Sequence, residues 1–286
     1  MSLLMFMYHR VLPESHPDAV TCDLFERQLD YMQEHFHLLS PAEVVAFCRQ
    51  GVLPAGRKKN YAALSFDDGW VDNMLYADPI LKKRGISAMM AVSAGYRYDG
   101  EIRDSEDPEV LMRNNTSAQE AARNGDFRNY LNEKELRYLA ESGRWSLEAH
   151  GTRHYSGALG KSILCAPQGE SPAEFETMLR DDIMNCRQYL DTLNGRKGHV
   201  FFWPYGHYST RAAEIVRDCG YDLQFTVRKG VCKANDFRLV LPRIGVSRWK
   251  KFKKNCVVFG NPFLRTLRRL FSSEQVCFDE FWQEEK

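Results

Sequence analysis

Two short stretches of this chain carry side chains that could share a metal ion: Ser65-Phe66-Asp67-Asp68-Gly69 and His150-Gly151-Thr152-Arg153-His154. The first reads as the end of a strand, because Tyr61 to Phe66 is an uncharged, mostly apolar run that stops at two aspartates and a glycine. Strand alternation sends Asp67 and Asp68 in opposite directions, which suits two tasks better than one duplicated task. The second stretch offers imidazoles at i and i+4, which meet at one point if the segment is helical or coiled. One carboxylate and two imidazoles make a three-ligand set with a coordination position left free, the build of a catalytic metal site. The other aspartate is then available as a base.

Taken alone, Asp-Asp-Gly is an ordinary turn, and His-x-x-x-His is a pair of surface or core histidines. A third stretch separates these readings. Phe201-Phe202-Trp203-Pro204-Tyr205-Gly206 is an apolar strand running into a turn that can present the Tyr205 backbone N–H to a ligand. The three stretches, in this order and each at a strand end, resemble the NodB-homology polysaccharide deacetylases (carbohydrate esterase family 4). The resemblance spans roughly residues 3 to 247.

The resemblance implies a role for each residue. Asp67 corresponds to the general base and Asp68 to a metal ligand, with His150 and His154 as the other two ligands. Tyr205 corresponds to the residue whose backbone N–H meets the oxyanion. Gly151 stands where the family usually has Ser or Thr, which displaces the hydroxyl that supports the loop. The family's base-orienting arginine falls on Phe202 and is missing. The late Leu-x-His motif that supplies the catalytic acid is also missing, since no histidine follows His207. The chain opens instead on Leu3-Leu4-Met5-Phe6-Met7-Tyr8-His9-Arg10. That opening and the Trp-Pro-Tyr-Gly turn are similar in pattern to the poly-β-1,6-N-acetylglucosamine deacetylases, in which the terminal strand is permuted to the start of the domain. By that analogy His9 takes the acid's role, and Arg243 in Leu241-Pro242-Arg243-Ile244 replaces the arginine beside Asp67. The alternatives are a structural histidine bonded to a loop and a surface ion pair.

The function implied is metal-dependent removal of an N-acetyl group from an amino sugar in a saccharide or surface-glycan precursor. The cofactor expected is a divalent ion, zinc first, with cobalt, nickel and iron also suited to one Asp and two His. One rival keeps the chemistry but changes the acyl group or carrier, as in a deformylase of a lipid- or nucleotide-linked amino sugar. Another is a non-catalytic glycan-binding protein on a decayed deacetylase fold.

These residues need a scaffold, and the pattern supplies one. In a chain of 286 residues, 44% hydrophobic, strand-like runs alternate with helical patterns. Helices are expected at 24–35, 41–50, 72–84, 133–142, 172–193 and 210–218, several opened by a capping Ser, Asn or Pro. Such alternation predicts an α/β fold with a mostly parallel sheet. The resemblance makes it a distorted (β/α) barrel of the NodB-homology type, with the site at the strand C-termini. The catalytic domain is read as 1–248, interrupted by a polar insertion at about 97–131 with little periodicity. That insertion is either a wall or lid of the site or a solvated loop, and Tyr96, Arg97 and Tyr98 at its base could contact sugar. Residues 249–286 form a basic amphipathic C-terminal tail. Its 249–272 segment carries Lys250, Lys251, Lys253 and Lys254, then Phe263, Leu264, Leu267, Leu270 and Phe271 at helical spacing. It can lie peripherally on an anionic membrane or dock on the barrel.

A net charge of +1 with acids mixed throughout argues against nucleic acid as a partner. Eight cysteines without a Cys-x-x-Cys pair read as free thiols of a reducing compartment. The few apolar residues before His9 are too short for a signal peptide, and no apolar run reaches the about 18 to 20 residues of a membrane span. The expectation is a cytoplasmic protein, or one peripheral at the inner face of the membrane.

Overall fold

The computed structural model describes residues 2–52, 60–157, 160–246, 248–269 and 276–282. The chain enters through β1 (Leu3–Tyr8), then β2 (Arg10–Leu12) and β3 (Ala19–Thr21), which pair with each other outside the main sheet. It continues through α1 (Cys22–His35), β4 (His37–Leu38), α2 (Pro41–Gln50), β5 (Tyr61–Asp68), α3 (Asp78–Arg84) and β6 (Ala88–Val92). After β6 come α4 (Pro108–Leu111), α5 (Asn115–Arg123), α6 (Glu133–Glu141), β7 (Trp145–Ala149), α7 (Pro172–Asn194), β8 (Val200–Phe202), α8 (Thr210–Asp218) and β9 (Leu223–Phe225). The last elements are β10 (Val240–Leu241), β11 (Ile244–Gly245), α9 (Trp249–Gly260) and α10 (Pro262–Arg269).

The main sheet runs β10-β9-β8-β7-β6-β5-β1-β11 with every pairing parallel, and β4 joins β5 where β6 does not reach. Its two ends, β10 and β11, are separated in sequence only by Pro242 and Arg243. The curled sheet is therefore closed by the chain itself rather than by a ladder, and Arg243 lies in the closure. This is the distorted (β/α) barrel expected.

Alternation along the strands sorts side chains into two cores. Leu4, Phe6 and Tyr8 of β1 and Ala62, Leu64 and Phe66 of β5 face outward, beneath apolar stripes such as Phe25, Leu29 and Met32 of α1 and Phe175, Leu179 and Ile183 of α7. Leu3, Met5, Tyr61, Ala63, Met89 and Phe202 face inward and meet Val44 and Phe47 of α2, which fills the interior. Burying such a side chain stabilises by about 1.5–3 kcal/mol. Capping boxes Ser40/Glu43, Asn132/Glu135 and Ser171/Glu174 start α2, α6 and α7 where the sequence placed them.

Two segments differ from expectation. The 72–84 helix opens with a π turn over Asn73–Ala77, where the Asn73 side chain donates to the His9 carbonyl at 2.9 Å. The insertion is ordered: α5 buries Ala118 and Ala122 against Trp70 and Tyr130, and Arg103 grips both oxygens of Glu135 at 2.8 and 2.7 Å. Alanines four apart among polar residues gave too weak an apolar signal to mark that helix. The start of the tail, 249–260, is helix α9, whose Phe252, Cys256 and Phe259 enter the outer core beside β1. Of the apolar tail residues named above, Leu267 lies on α10 and its side chain is undescribed, while Leu270 and Phe271 lie outside the described residues. No helix among the described residues is long and apolar enough to cross a membrane.

Candidate active site and metal centre

Asp67 is on the inward face of β5, two residues beyond Ser65, and it is buried. The closure residue Arg243, fully buried, meets it there: Nη1 donates to Oδ1 at 2.6 Å and Nη2 to Oδ2 at 2.8 Å. The guanidinium also donates to Ser65 Oγ at 3.2 Å and to the Thr226 carbonyl at 3.3 Å, and lies 4.6 Å from the Phe202 ring centroid. Burial pushes the Asp67 carboxyl up, but Arg243, His150 and His9 more than offset it and hold the group below the usual carboxylate range.

Asp68 turns the other way, on a left-handed backbone at φ 76°. Its Oδ1 lies 3.3 Å from His150 Nε2 and 3.2 Å from His154 Nε2, and one ligand atom from each of the three residues falls within 4.8 Å of the others. Trp70 Nε1 donates to the other oxygen at 3.0 Å. His150 Nδ1 sits 2.7 Å from the Phe202 carbonyl. A carbonyl can only accept, so Nδ1 carries a proton, and Nε2 is the ring nitrogen turned to Asp68. Asp68 Oδ1 is buried with no hydrogen-bond partner. Burial raises the Asp68 carboxyl, yet the histidines outweigh it and keep the group ionised; burial pushes His154 down to about 4. An orphaned anionic oxygen facing two imidazole nitrogens fits a divalent cation.

The histidine segment is irregular rather than helical. Gly151 adopts φ 79°, which disfavours any other residue, and a Cβ there would come within 2.6 Å of Leu164 Cδ1, so a Ser or Thr would have to push that side chain aside. The hydroxyl moves one residue along instead. Thr152 Oγ1 donates to the Asp182 carbonyl at 2.9 Å, while Thr152 N and Arg153 N donate to the Asp182 carboxylate at 2.8 and 2.9 Å. Tyr96 OH donates to the His154 carbonyl at 3.0 Å, and the Tyr205 ring stacks 5.0 Å from that of His154. Tyr205 itself has φ 57°, and the following Gly206 is needed because a Cβ would lie 2.6 Å from Val227 N.

His9 and Tyr205 border the same cavity, about 220 Å³, as Asp67, Asp68, His150 and His154, and α5 adds Asn115, Thr116 and Gln119 to its wall. All seven residues singled out in the sequence thus converge, with Arg243 behind Asp67. Tyr96, Tyr98 and Arg97 serve the wall: their rings and guanidinium pack on Tyr130, Phe127 and Tyr189. Sequence reasoning missed Trp70, Asp182, the Phe202 carbonyl and the α5 face. Asp182 did leave a trace, as an acid on the apolar stripe of α7 between Leu179 and Cys186.

Comparison with known proteins identifies the family and the fold. The family model described as polysaccharide deacetylase matches residues 55–224. A poly-β-1,6-N-acetyl-D-glucosamine N-deacetylase of Escherichia coli is 32% identical over 85 residues, which are 30% of this chain and 12% of that protein. The chain thus spans only about an eighth of that relative. Two solved structures share the fold: IcaB from Ammonifex degensii (23% identity, TM-score 0.72, 91% of this chain and 97% of that one) and the Streptococcus pyogenes deacetylase PplD (24%, 0.65, 92% and 99%). With its family motif region matched over more than half its length, the chain belongs to the polysaccharide deacetylase family.

Proposed function

We propose that this protein is a metal-dependent hydrolase that removes N-acetyl groups from amino sugars in a saccharide. The observation that carries the proposal is one cavity holding a buried, arginine-clamped carboxylate beside a carboxylate–imidazole cluster whose ligand atoms lie close enough to share a cation. The names of relatives, including a poly-N-acetylglucosamine deacetylase, support the choice of an N-acetylated saccharide.

Asp68, His150 and His154 would hold the ion, zinc before cobalt, nickel or iron, which would supply a Lewis acid able to make a water ionise near neutral pH. Asp67, kept anionic by Arg243, accepts the proton of the attacking water, and its clamped carboxylate cannot rotate away. The Tyr205 backbone N–H donates to the oxygen of the acetamide carbonyl as negative charge develops there; one such donor is typically worth about 3 to 4 kcal/mol of barrier. His9 delivers a proton to the nitrogen as the C–N bond breaks, because an amide anion is too poor a leaving group. The products are acetate and a free amine on the sugar. His9 also borders a neighbouring groove of about 590 Å³ that reaches Arg248, space for saccharide beyond the acetylated unit.

The test is metal content and acetate release from N-acetylglucosamine oligomers, for the parent protein and for Asp68→Ala and His154→Ala. Near-stoichiometric metal and acetate release, both lost in the variants, is the expected result. Metal without acetate release would redirect the search to lipid- or nucleotide-linked substrates. A protein that takes up no metal after reconstitution would be a binding protein on the deacetylase fold.

A further inference from the structure

Charge is segregated in this chain to an unusual degree for a protein of net +1. Residues 249–269 hold four lysines and three arginines and no acid, so the remainder carries −6, the difference between +1 and +7. The fold explains what becomes of the helix that carries the lysines. α9 turns Phe252, Asn255, Cys256 and Phe259 inward, and Phe252 packs on Phe6 and Tyr31. The outer side is left with Lys250, Lys251, Lys253 and Lys254, all exposed. None of these four has an acidic partner among the described residues; Lys253 rests instead over the Tyr31 and Trp249 rings. Arg27 of α1 lies over the other side of this aromatic group, 4.0 Å from the Trp249 ring centroid. Of the acids of α1, Glu26 and Asp30 are engaged by Arg84, and Glu34 lies against its neighbour His35, with Oε2 3.7 Å from Nδ1.

Exposed apolar side chains accompany these cations. Val257 on α9 is 52% exposed, and Phe263, at the start of α10, is 71% exposed. Unpaired lysines beside protruding apolar groups are the composition that binds an anionic bilayer: charge attracts the surface, and apolar groups enter the headgroup boundary. A polyanion such as nucleic acid or an acidic glycan would match the lysines but give Val257 and Phe263 nothing to bury against.

We propose that the outer face of α9 and the start of α10 form a docking surface for an anionic lipid bilayer. This surface is built on the flank of the barrel. α9 follows β11 at the mouth, where Arg248 borders the groove next to His9, and ends at Gly260, whose carbonyl accepts from Asn60 beside the start of β5. A bilayer on this face lies alongside the strands, so the mouth of the site opens along the membrane rather than into it. The inference is independent of the reaction at the site.

The test is co-sedimentation of the full chain with vesicles of phosphatidylcholine alone and of phosphatidylcholine mixed with phosphatidylglycerol. Binding is expected only to the anionic vesicles and should weaken as salt is raised. Replacing Lys250, Lys251 and Lys254 by Ala should lower affinity by about fivefold per lysine, from roughly 1 kcal/mol each near an anionic surface. Phe263→Ser should weaken binding with little change in its salt dependence. Thermal melts of each variant matching the parent exclude unfolding as the cause. Equal binding to both vesicle types, no binding, or lysine variants that bind like the parent would overturn the proposal. So would retention on heparin or DNA with no retention by anionic vesicles.

Discussion

Arg243 grips both carboxylate oxygens of Asp67, at 2.6 and 2.8 Å, from a position 176 residues away in sequence. The pair joins the chain segment that closes the barrel to the strand that carries the proposed base. Arg243→Met therefore leaves a buried carboxylate without its partner, an arrangement that costs about 3–5 kcal/mol. A clear fall in melting temperature is expected, together with loss of most acetate release. Arg243→Lys keeps the charge but not the two-point grip, and should fall between parent and Met variant in both measurements. A Met variant as stable and active as the parent would remove Arg243 from any role in holding Asp67.

Asp182 holds the histidine segment from behind, accepting from Thr152 N and Arg153 N. Asp182→Asn places an amide where a carboxylate accepted two N–H groups, and at least one of those bonds is lost. His150 and His154 flank this segment, so the first consequence is on the metal. Affinity, read by competition with a chelator, should fall about 10- to 100-fold, the usual effect of removing a support behind metal ligands. Unchanged affinity in a folded variant would mean that the segment is held without the paired carboxylate, by Tyr96 and by the bond from Thr152 Oγ1 to the Asp182 carbonyl.

The extent to which this site could be read from the sequence follows from how local each signal is. Asp67, Asp68, His150 and His154 sit in short motifs at strand ends, and the strand and helix periodicities around them are strong. Arg243 could be named only by analogy, because nothing in Leu241-Pro242-Arg243-Ile244 reveals that β10 and β11 are opposite ends of one sheet. Phe202 is the instructive residue. The resemblance marks it as a lost arginine, yet its carbonyl orients His150 and its ring underlies the guanidinium of Arg243. Backbone acceptors leave no trace in residue type. The α5 wall was missed for a different reason: its buried face is alanine, which is too small to stand out among polar neighbours.

Gly151 departs from the family pattern for a reason that can be checked. Its left-handed backbone disfavours any β-carbon by roughly 1–2 kcal/mol, and contact with Leu164 adds an overpacking cost of about 1–3 kcal/mol. Gly151→Ala should therefore be destabilised, and Gly151→Ser more so, despite restoring a residue type the family favours. Leu164→Ala alone empties a buried core position and lowers the melting temperature by itself, so the contact is read from a double-mutant cycle. Gly151→Ala should cost less in the Leu164→Ala background than in the parent, but still something, because the backbone cost remains. No cost in that background would assign the whole effect to packing.

His207 provides the pH test. Its Nδ1 accepts from Ser162 N at 3.3 Å, its ring packs edge-on to Phe278, and burial followed by Lys161 pushes it from 6.5 down to about 4. An unfolded chain then takes up a proton on this ring near pH 6.5, while the folded protein does not until about pH 4. Between those values the unfolded state binds more protons, so stability rises with pH and is lost on acidification from 6.5 to 4. His207→Gln retains an acceptor for Ser162 N but cannot be protonated. Urea midpoints measured at pH 7 and pH 4.5 should fall less in this variant than in the parent, and comparing the two cancels the carboxylates they share. An equal fall in both would show that the ring titrates alike in the folded and unfolded chains, and that its burial against Phe278 does not keep it neutral.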